Sequence, residues 1–198
     1  MRRLLIATKN KGKLKELRRY LRSVPADIVS LCEFERTPRI IENGKTFKAN
    51  AAKKAILTSI FTNGLVLADD SGLSVDALGG APGIRSARFA GPKKNDKDNN
   101  RKLLRLLSGV RPGKRHAKFV CAVAIADNGK VVKMIEEYCE GRIAFEIKGK
   151  HGFGYDPLFM IPKYGKTFGE LGLKVKDRMS HRSKALKKAR EFLKKYLK

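Results

Sequence analysis

Cysteines, long apolar stretches and acidic side chains are all scarce in this sequence. Cys32, Cys121 and Cys139 form an odd, widely spaced set, which excludes a disulfide framework and a paired zinc-ligand motif. The longest apolar run, residues 119–126, is far below the ~18 residues of a membrane span. The early run at residues 4–7 is shorter than the ~7 or more apolar residues of a signal peptide. We therefore expect a cytoplasmic protein with buried thiols and no membrane partner.

The shortage of acidic residues leaves a large positive charge. The 198 residues include 45 Lys and Arg against 19 Asp and Glu, a formal net charge of +26. Such a field attracts nucleic acid, anionic membrane surfaces and phosphorylated small molecules. The charge is spread along the chain without a long basic block, so a solvated surface is an equally good interpretation. The 42% hydrophobic content excludes disorder and predicts one domain over residues 1–198.

The first part of the chain alternates between strand and helix patterns. A short apolar run at residues 4–6 precedes leucines at helical spacing in residues 13–21. A second strand is predicted at residues 28–31, a helix at 46–61, and a buried strand at 65–68 that leads into Asp69 and Asp70.

The second part combines a long loop with antiparallel patterns. Glycines and prolines interrupt residues 71–91, and a polar segment that begins near Asp96 leads into a helix with Leu103, Leu104, Leu106 and Leu107. Two runs around Asn128 and Gly129 predict a hairpin, residues 142–147 could add a third strand, and an amphipathic helix begins near His181. These patterns predict an α/β fold, a mixed twisted sheet flanked by helices, in two lobes with a central substrate cleft.

Two polar segments have the chemistry of a phosphate site. Thr8, Asn10 and Lys13 lie between the first strand and its helix, where free backbone N–H groups and the helix dipole favour anions. Asp69 and Asp70 can hold Mg²⁺ and orient a water, and Glu42 is a plausible further ligand. An ordinary connection and a capped turn explain the same residues equally simply.

Two later segments could recognise a base. In the segment GFGYDP an aromatic ring lies between Gly152 and Gly154, which suits either stacking on a base or a tight turn with a core Phe. Donors from His181 and Arg182 would pair with a 6-oxo purine but meet the 6-amino group of adenine donor to donor. In isolation these two are simply the first residues of a helix.

The order of the motifs resembles one family. The segments ATKNKGKLKEL, ENGKTF, LADDSGLSVDALGGAPGIRSARFAG, GFGYDPLF, KTFGEL and SHRSKAL span nearly the whole chain. They are similar to the inosine triphosphate pyrophosphatase family, enzymes that cut the triphosphates of non-standard purines such as ITP, dITP and XTP into the monophosphate and pyrophosphate. The resemblance implies a two-lobed α/β homodimer that uses one or more Mg²⁺ ions per subunit and a nucleotide substrate, with no need for nucleic acid.

The resemblance also implies roles for individual residues. Asp70 would be the catalytic base, and Glu42, Asp70 and Asp69 would lie at the metal. The substrate-binding set would be Thr8, Lys9, Asn10, Lys11, Gly12, Lys13, Ser71, Arg88, Phe153, Gly154, Tyr155, Asp156, Lys176, His181 and Arg182.

The sequence departs from the family pattern at two positions. Ala49 precedes Asn50 where related bacterial sequences commonly have an acid, so Glu42 and Asp70 would have to hold a metal without it. Lys9 occupies a position in the phosphate loop that is often small.

Two other functions remain open at the level of sequence. One is a pyrophosphatase of modified pyrimidine triphosphates. The other is a basic nucleic-acid-binding protein, which rests on the net charge alone because no recognition motif is present.

Overall fold

Helices and strands alternate along the chain in the computed structural model, which describes residues 2–198. The strands are β1 Arg2–Ile6, β2 Ala26–Ser30, β3 Leu65–Val75, β4 His116–Asp127, β5 Lys130–Ile143, β6 Phe159–Ile161 and β7 Lys166–Thr167. The helices are α1 Lys11–Leu21, α2 Phe47–Thr62, α3 Asp96–Leu106, α4 Phe168–Met179 and α5 His181–Tyr196. Within residues 2–198, none of these helices combines the length and the apolar character that crossing a membrane requires.

The strands form one mixed sheet in the order β2-β1-β3-β4-β5-β6-β7. β1 pairs in parallel with both β2 and β3, whereas β6 pairs antiparallel with β5 and β7. The α/β class with a mixed sheet flanked by helices is therefore confirmed.

The chain divides into two compact units. The first contains the residues up to Asp70 together with Cys121–Glu137 and Arg182–Lys198, and the second contains Ser71–Val120 and Tyr138–His181. Strands β3, β4 and β5 each contribute residues to both units.

The core of the first unit lies on both faces of β3. Leu65 and Leu67 belong to one apolar cluster, with leucines of α1 and α5. Val66 and Ala68 belong to another, with Ala51 and Ala55. Alternate residues of a strand face opposite sides, so the first half of β3 is buried on both faces and reads as a continuous apolar run.

The core of the second unit is aromatic. Phe119 lies 4.4 Å from the ring of Phe159 and 6.4 Å from that of Phe168, measured between centroids. Leu73 and Leu103 are fully buried in the same cluster. Of the leucines that predicted α3, Leu103 and Leu107 are buried in this cluster, whereas Leu106 is 44% exposed.

The most important difference from the sequence prediction concerns β3. The apolar run predicted a strand over residues 65–68, but the strand continues to Val75. Asp, Ser and Gly have low strand propensity, which is why the pattern predicted an end at Asp69. The extension places both aspartates inside the strand.

The predicted third antiparallel strand at residues 142–147 is wrong. Arg142 and Ile143 are the end of β5, and its neighbour is β6. Phe145 and Ile147 are 63% and 50% exposed. Apolar and charged residues alternate here as they would in a strand with one buried face, but neither apolar side chain is buried.

Gly72 offers a test of how tightly β3 packs in the second unit. A Cβ at Gly72 would lie 2.3 Å from Oγ of Ser86 and 2.6 Å from the carbonyl oxygen of Gly83. We expect Gly72→Ala to lower the free energy of unfolding by about 1 to 3 kcal/mol because of this overpacking, as measured by urea denaturation.

Gly113→Ala is the matched control, since a Cβ there would meet nothing within 4 Å. Equal stability of the two variants would show that the contact at Gly72 relaxes without cost.

Candidate active site

Asp69 and Asp70 are adjacent carboxylates inside β3, with exposures of only 1% and 6%. Because neighbouring strand residues face opposite sides, Asp69 shares the face of Leu65 and Leu67, and Asp70 shares the face of Val66 and Ala68. The two side chains therefore project from opposite faces of the strand. This corrects the expectation that they follow the end of the strand.

Asp69 is held between two cations. Its Oδ2 lies 2.9 Å from Nζ of Lys13 and 3.6 Å from Nε of Arg182. Burial opposes ionisation of Asp69, but the charges of Lys13 and Arg182 outweigh it and hold its pKa well below the ordinary value. Nη1 of Arg182 also donates to Oε2 of Glu16 at 2.7 Å. The sequence predicted that Arg182 contacts the purine base of the substrate. In the structure its contacts are with the carboxylates of Asp69 and Glu16.

The predicted phosphate loop forms the start of α1. Oδ1 of Asn10 accepts from the backbone N–H of Lys13 at 3.0 Å, so Asn10 is the N-cap. Oγ1 of Thr8 accepts from the N–H of Asn10 at 3.3 Å, and Nζ of Lys9 donates to Oγ1 of Thr37 at 2.8 Å. Lys11, Gly12 and Lys13 thus occupy the first helical turn, which contains no acidic residue. This turn favours an anion.

Asp70 is oriented by an amide. Nδ2 of Asn50 donates to Oδ2 of Asp70 at 3.0 Å, while Oδ1 of Asn50 accepts from the N–H of Gly44 at 2.7 Å. Burial raises the pKa of Asp70, with a further contribution from the charge of Glu42, against the lowering effects of Lys13, Asn50 and Lys54. A carboxyl with a raised pKa is suited to taking a proton from water.

Lys54 links Glu42 electrostatically to Asp69 and Asp70. Its Nζ lies 2.7 Å from Oε1 of Glu42, and both side chains are largely buried. Burial lowers the pKa of Lys54, but the charges of Asp69, Glu42 and Asp70 raise it by more. Ala49, where relatives commonly have an acid, is exposed in the first turn of α2.

Two of the three predicted metal ligands fit a divalent cation. Residues 2–198 contain no cluster of three or more His, Cys, Asp or Glu side chains around a metal position. Mg²⁺ in nucleotide sites is usually held by only one or two carboxylates together with substrate phosphates. Glu42 and Asp70 repel each other electrostatically, which a cation would relieve. Asp69 fits less well because one oxygen already contacts two cations.

The segment GFGYDP closes on itself in the second unit. Oδ2 of Asp156 accepts from the N–H of Phe153 at 2.9 Å and from Nζ of Lys176 at 2.6 Å. That ammonium also lies 4.5 Å from the centroid of the Phe153 ring. Gly152 has φ +82°, and a Cβ there would lie 2.0 Å from Oδ2 of Asp156. The space at Gly152 is therefore used by this carboxylate rather than by a ligand.

Two residues of α3 fix the peptide groups of Gly154. Its N–H donates to Oδ2 of Asp96 at 2.8 Å, and its carbonyl accepts from Nδ2 of Asn100 at 2.9 Å. The following residue, Tyr155, is buried and donates its hydroxyl to the carbonyl of Ser86 at 2.8 Å. Tyr155 therefore anchors the segment, whereas Phe153 is only partly buried.

The other predicted residues of the second unit are placed as follows. His181 is buried and stacks on Phe119 at 4.7 Å between ring centroids. Ser71 follows Asp70 in β3, and Arg88 is exposed at the end of the short helical turn Gly83–Arg88. The structure therefore brings together Phe153, Asp156 and Lys176 in one group, and Lys13, Asp69 and Arg182 in another.

Comparison with known proteins decides the family. Residues 4–192 match the sequence profile of the Ham1 family. The chain belongs to the Ham1 family.

Its relatives are similar over nearly their whole length. The dITP/XTP pyrophosphatase of Desulforamulus reducens is 52% identical over 191 residues, 96% of this chain and 95% of the relative. Among solved structures, a HAM1 protein from Coxiella burnetii is 36% identical with a TM-score of 0.89, covering 98% of this chain and 100% of that one. The Staphylococcus aureus Ham1 protein has 36% identity and a TM-score of 0.88, covering 98% and 99%.

Four polar residues of this Ham1-family chain were missed by the sequence argument. Asn50 and Lys54 lie on α2, and Asp96 and Asn100 lie on α3. Each pair has i,i+4 spacing, which places both members on one helix face. Asn50 also shares the buried side of α2 with Ala51 and Ala55. An Asn within an apolar stripe was therefore the available signal, because buried polar groups need a defined partner.

The contacts of Asp69 predict the acid sensitivity of the protein. Since the folded-state pKa of Asp69 lies below its unfolded value, its share of stability is present above that unfolded value and is lost as pH falls. We expect Asp69→Asn to be less stable at neutral pH by about 3 kcal/mol. Below about pH 5 its free energy of unfolding should fall less steeply than that of the wild type, as measured by urea denaturation at several pH values.

Asp27→Asn is the control, because Asp27 is an exposed carboxylate on β2 whose Oδ2 lies 3.8 Å from Nε of the exposed Arg3. This control should keep the wild-type slope. A parallel pH dependence for Asp69→Asn and the wild type would contradict the assignment.

Proposed function

We propose that this chain hydrolyses the triphosphates of non-standard purine nucleosides, such as ITP, dITP and XTP, to the monophosphate and pyrophosphate. The observation that carries the proposal is the group around β3, where Asp70, with its raised pKa, accompanies Lys13 and Lys54. This combination supplies a proton acceptor together with cations for a polyphosphate. The name dITP/XTP pyrophosphatase, which relatives such as the Desulforamulus reducens protein carry, supports the same reaction.

The triphosphate would be held by the first turn of α1 and the neighbouring lysines. The N–H groups of Lys11 and Gly12 belong to that turn, where the backbone dipole favours anions. Lys13 and Lys54 already neutralise carboxylates in this group, so the incoming phosphates would share cations that are held in place by Asp69 and Glu42.

The chemical step would be attack of a water oxygen on the α-phosphorus. The new P–O bond forms as the bond from the α-phosphorus to the oxygen that bridges to the β-phosphate breaks, and pyrophosphate leaves. Asp70 would accept the proton of the water, and Asn50 would hold the carboxylate in orientation through its hydrogen bond. Glu42 and Asp70 would hold Mg²⁺, which when bound neutralises phosphate charge. Asp69 would keep Lys13 in position.

The purine base would be recognised by residues of the second unit. Phe153 is partly exposed and its backbone N–H donates to Asp156, so its ring would offer a face for stacking. Lys176 and His181 would supply the donors that pair with a 6-oxo group. Adenine would leave such a donor unpaired, which costs about 1 to 3 kcal/mol. Ser71 and Arg88 complete the proposed substrate set.

A nucleotide panel tests the substrate class. With Mg²⁺ present, we expect pyrophosphate release from ITP, dITP or XTP to exceed that from ATP by at least about tenfold in kcat/KM, because of the unpaired donor. Equal rates with ATP would contradict base recognition. A preference for modified pyrimidine triphosphates would favour the first alternative, and salt-dependent nucleic-acid binding without any nucleotide hydrolysis would favour the second.

The role of Asp70 has a separate test. Asp70→Asn keeps the size of the side chain but removes the proton acceptor, so we expect kcat to fall by about a thousandfold. The circular dichroism spectrum should be unchanged. Asp76→Asn, at an exposed position just after β3, should keep full activity. Activity of Asp70→Asn within a few-fold of the wild type would move the base to another residue.

A homodimeric assembly and a cytoplasmic location are part of the same proposal. Sedimentation equilibrium of the purified protein would measure the assembly directly, and a monomer at all concentrations would contradict it.

A further inference from the structure

A cavity lies in the second unit, among residues that the proposed hydrolysis does not use. Its volume is about 290 Å³, close to the lower end of small-molecule sites. The lining residues are Pro112, Arg115, Arg142, Ile143, Ala144, Phe145, Glu146, Lys148, Met160, Gly165, Thr167 and Glu170.

Strand register explains one side of this cavity. Arg142 of β5 is directly opposite Met160 of β6, and Met160 is directly opposite Thr167 of β7. Directly opposed residues of antiparallel strands share a face of the sheet. These three side chains therefore form a row, and all three line the cavity.

Arg115 is a buried cation at the cavity, only 3% exposed. Its three guanidinium nitrogens donate to the carbonyls of Ile143, Leu107 and Ala144 at 2.8 to 2.9 Å. Its charge also lies 4.3 Å from the centroid of the Phe145 ring. Within residues 2–198 no carboxylate lies in salt-bridge distance of Arg115, so backbone dipoles and an aromatic face alone stabilise this charge.

Arg142 is the second guanidinium of the cavity. Its Nε is buried and has no hydrogen-bond partner among the described residues. A buried donor without a partner costs about 1 to 3 kcal/mol, which a bound acceptor would recover. Two guanidiniums without carboxylate partners thus line one cavity.

The two acidic residues of the lining have partners of their own. Oε1 of Glu146 lies 3.1 Å from Nζ of Lys148. Oε2 of Glu170 accepts from the N–H of Thr167 at 2.9 Å, in the capping box that begins α4. Neither carboxylate is within salt-bridge distance of Arg115 or Arg142 in the part of the chain described.

We propose that this cavity is an anion site for a phosphate dianion, free or as the monoester of a small organic group. Guanidinium donors match the geometry of phosphate oxygens. Arg142 would supply the hydrogen bonds, and Arg115, whose three nitrogens already donate to carbonyls, would add a second positive charge. The exposed ring of Phe145 and the side chain of Met160 give the cavity an apolar wall, against which the organic group of a monoester would lie.

The experiment is a titration followed by ¹H–¹⁵N NMR of the full chain, without Mg²⁺ and at constant ionic strength set with sodium chloride. Inorganic phosphate and glycerol 3-phosphate are the two probes. We expect saturable shifts of the amides of Phe145 and Gly165, distinct from any shifts at residues 8–13. Tighter binding of glycerol 3-phosphate would identify the monoester as the preferred form, and equal binding would identify free phosphate.

Arg142→Gln is the decisive variant, and it should fold because the Arg142 side chain makes no hydrogen bond to residues 2–198 that the fold would lose. We expect it to weaken binding at these amides by about ten- to a hundredfold, the value of a charged hydrogen bond. Lys114→Gln removes an exposed charge close in sequence to Arg115 but outside the lining, and it should bind as the wild type does. Equal affinity of Arg142→Gln and the wild type, or shifts confined to residues 8–13, would overturn the proposal.

Discussion

The burial of two neighbouring carboxylates in the middle of a strand is the constraint on which the first unit depends. An ionised carboxylate in an apolar setting is costly unless it is paired and hydrogen-bonded, and β3 places Asp69 and Asp70 on opposite faces. Their direct contacts differ, although the charges of Lys13 and Lys54 act on both carboxylates. The fold therefore supplies cations from α1 and α5 to Asp69, and an amide from α2 to Asp70.

This division produces different electrostatics at adjacent positions. Asp69, between Lys13 and Arg182, keeps its charge with a lowered pKa, whereas burial raises the pKa of Asp70. Paired titratable groups whose environments push their pKa values apart are typical of acid–base sites. The same strand thus holds one carboxylate that fixes cations and another that is suited to exchange a proton.

The second unit is organised by hydrogen bonds to the backbone. Asp96 and Asn100 hold both peptide groups of Gly154, and Asp156 holds the N–H of Phe153 together with the ammonium of Lys176. The ring of Phe153 is therefore carried by a segment that four hydrogen bonds hold in place. Its polar side chains serve the turn itself, which sequence alone could not separate from a role in ligand contact.

The sequence predicted correctly those elements whose residue pattern is caused by burial or backbone geometry within a few neighbouring residues. The leucine spacing of α1 and α5 and the Asn128-Gly129 turn each reflect burial or backbone geometry within a few residues, and these elements were confirmed. The continuation of β3 past Asp70 could not be predicted, because the side chains that make it tolerable come from distant segments. The same holds for Asn50 and Lys54, whose partners Asp70 and Glu42 lie on other segments.

The side-chain oxygen of Asn50 accepts a hydrogen bond from the N–H of Gly44, and its side-chain nitrogen donates one to Asp70. An aspartate there would present an oxygen to a buried oxygen, and a leucine would satisfy neither neighbour. An amide at this position can therefore satisfy both neighbours at once, because it carries a donor and an acceptor. Deamidation of Asn50 would replace the donor to Asp70 with a carboxylate oxygen, so chemical ageing of one amide would turn this contact from attraction into repulsion.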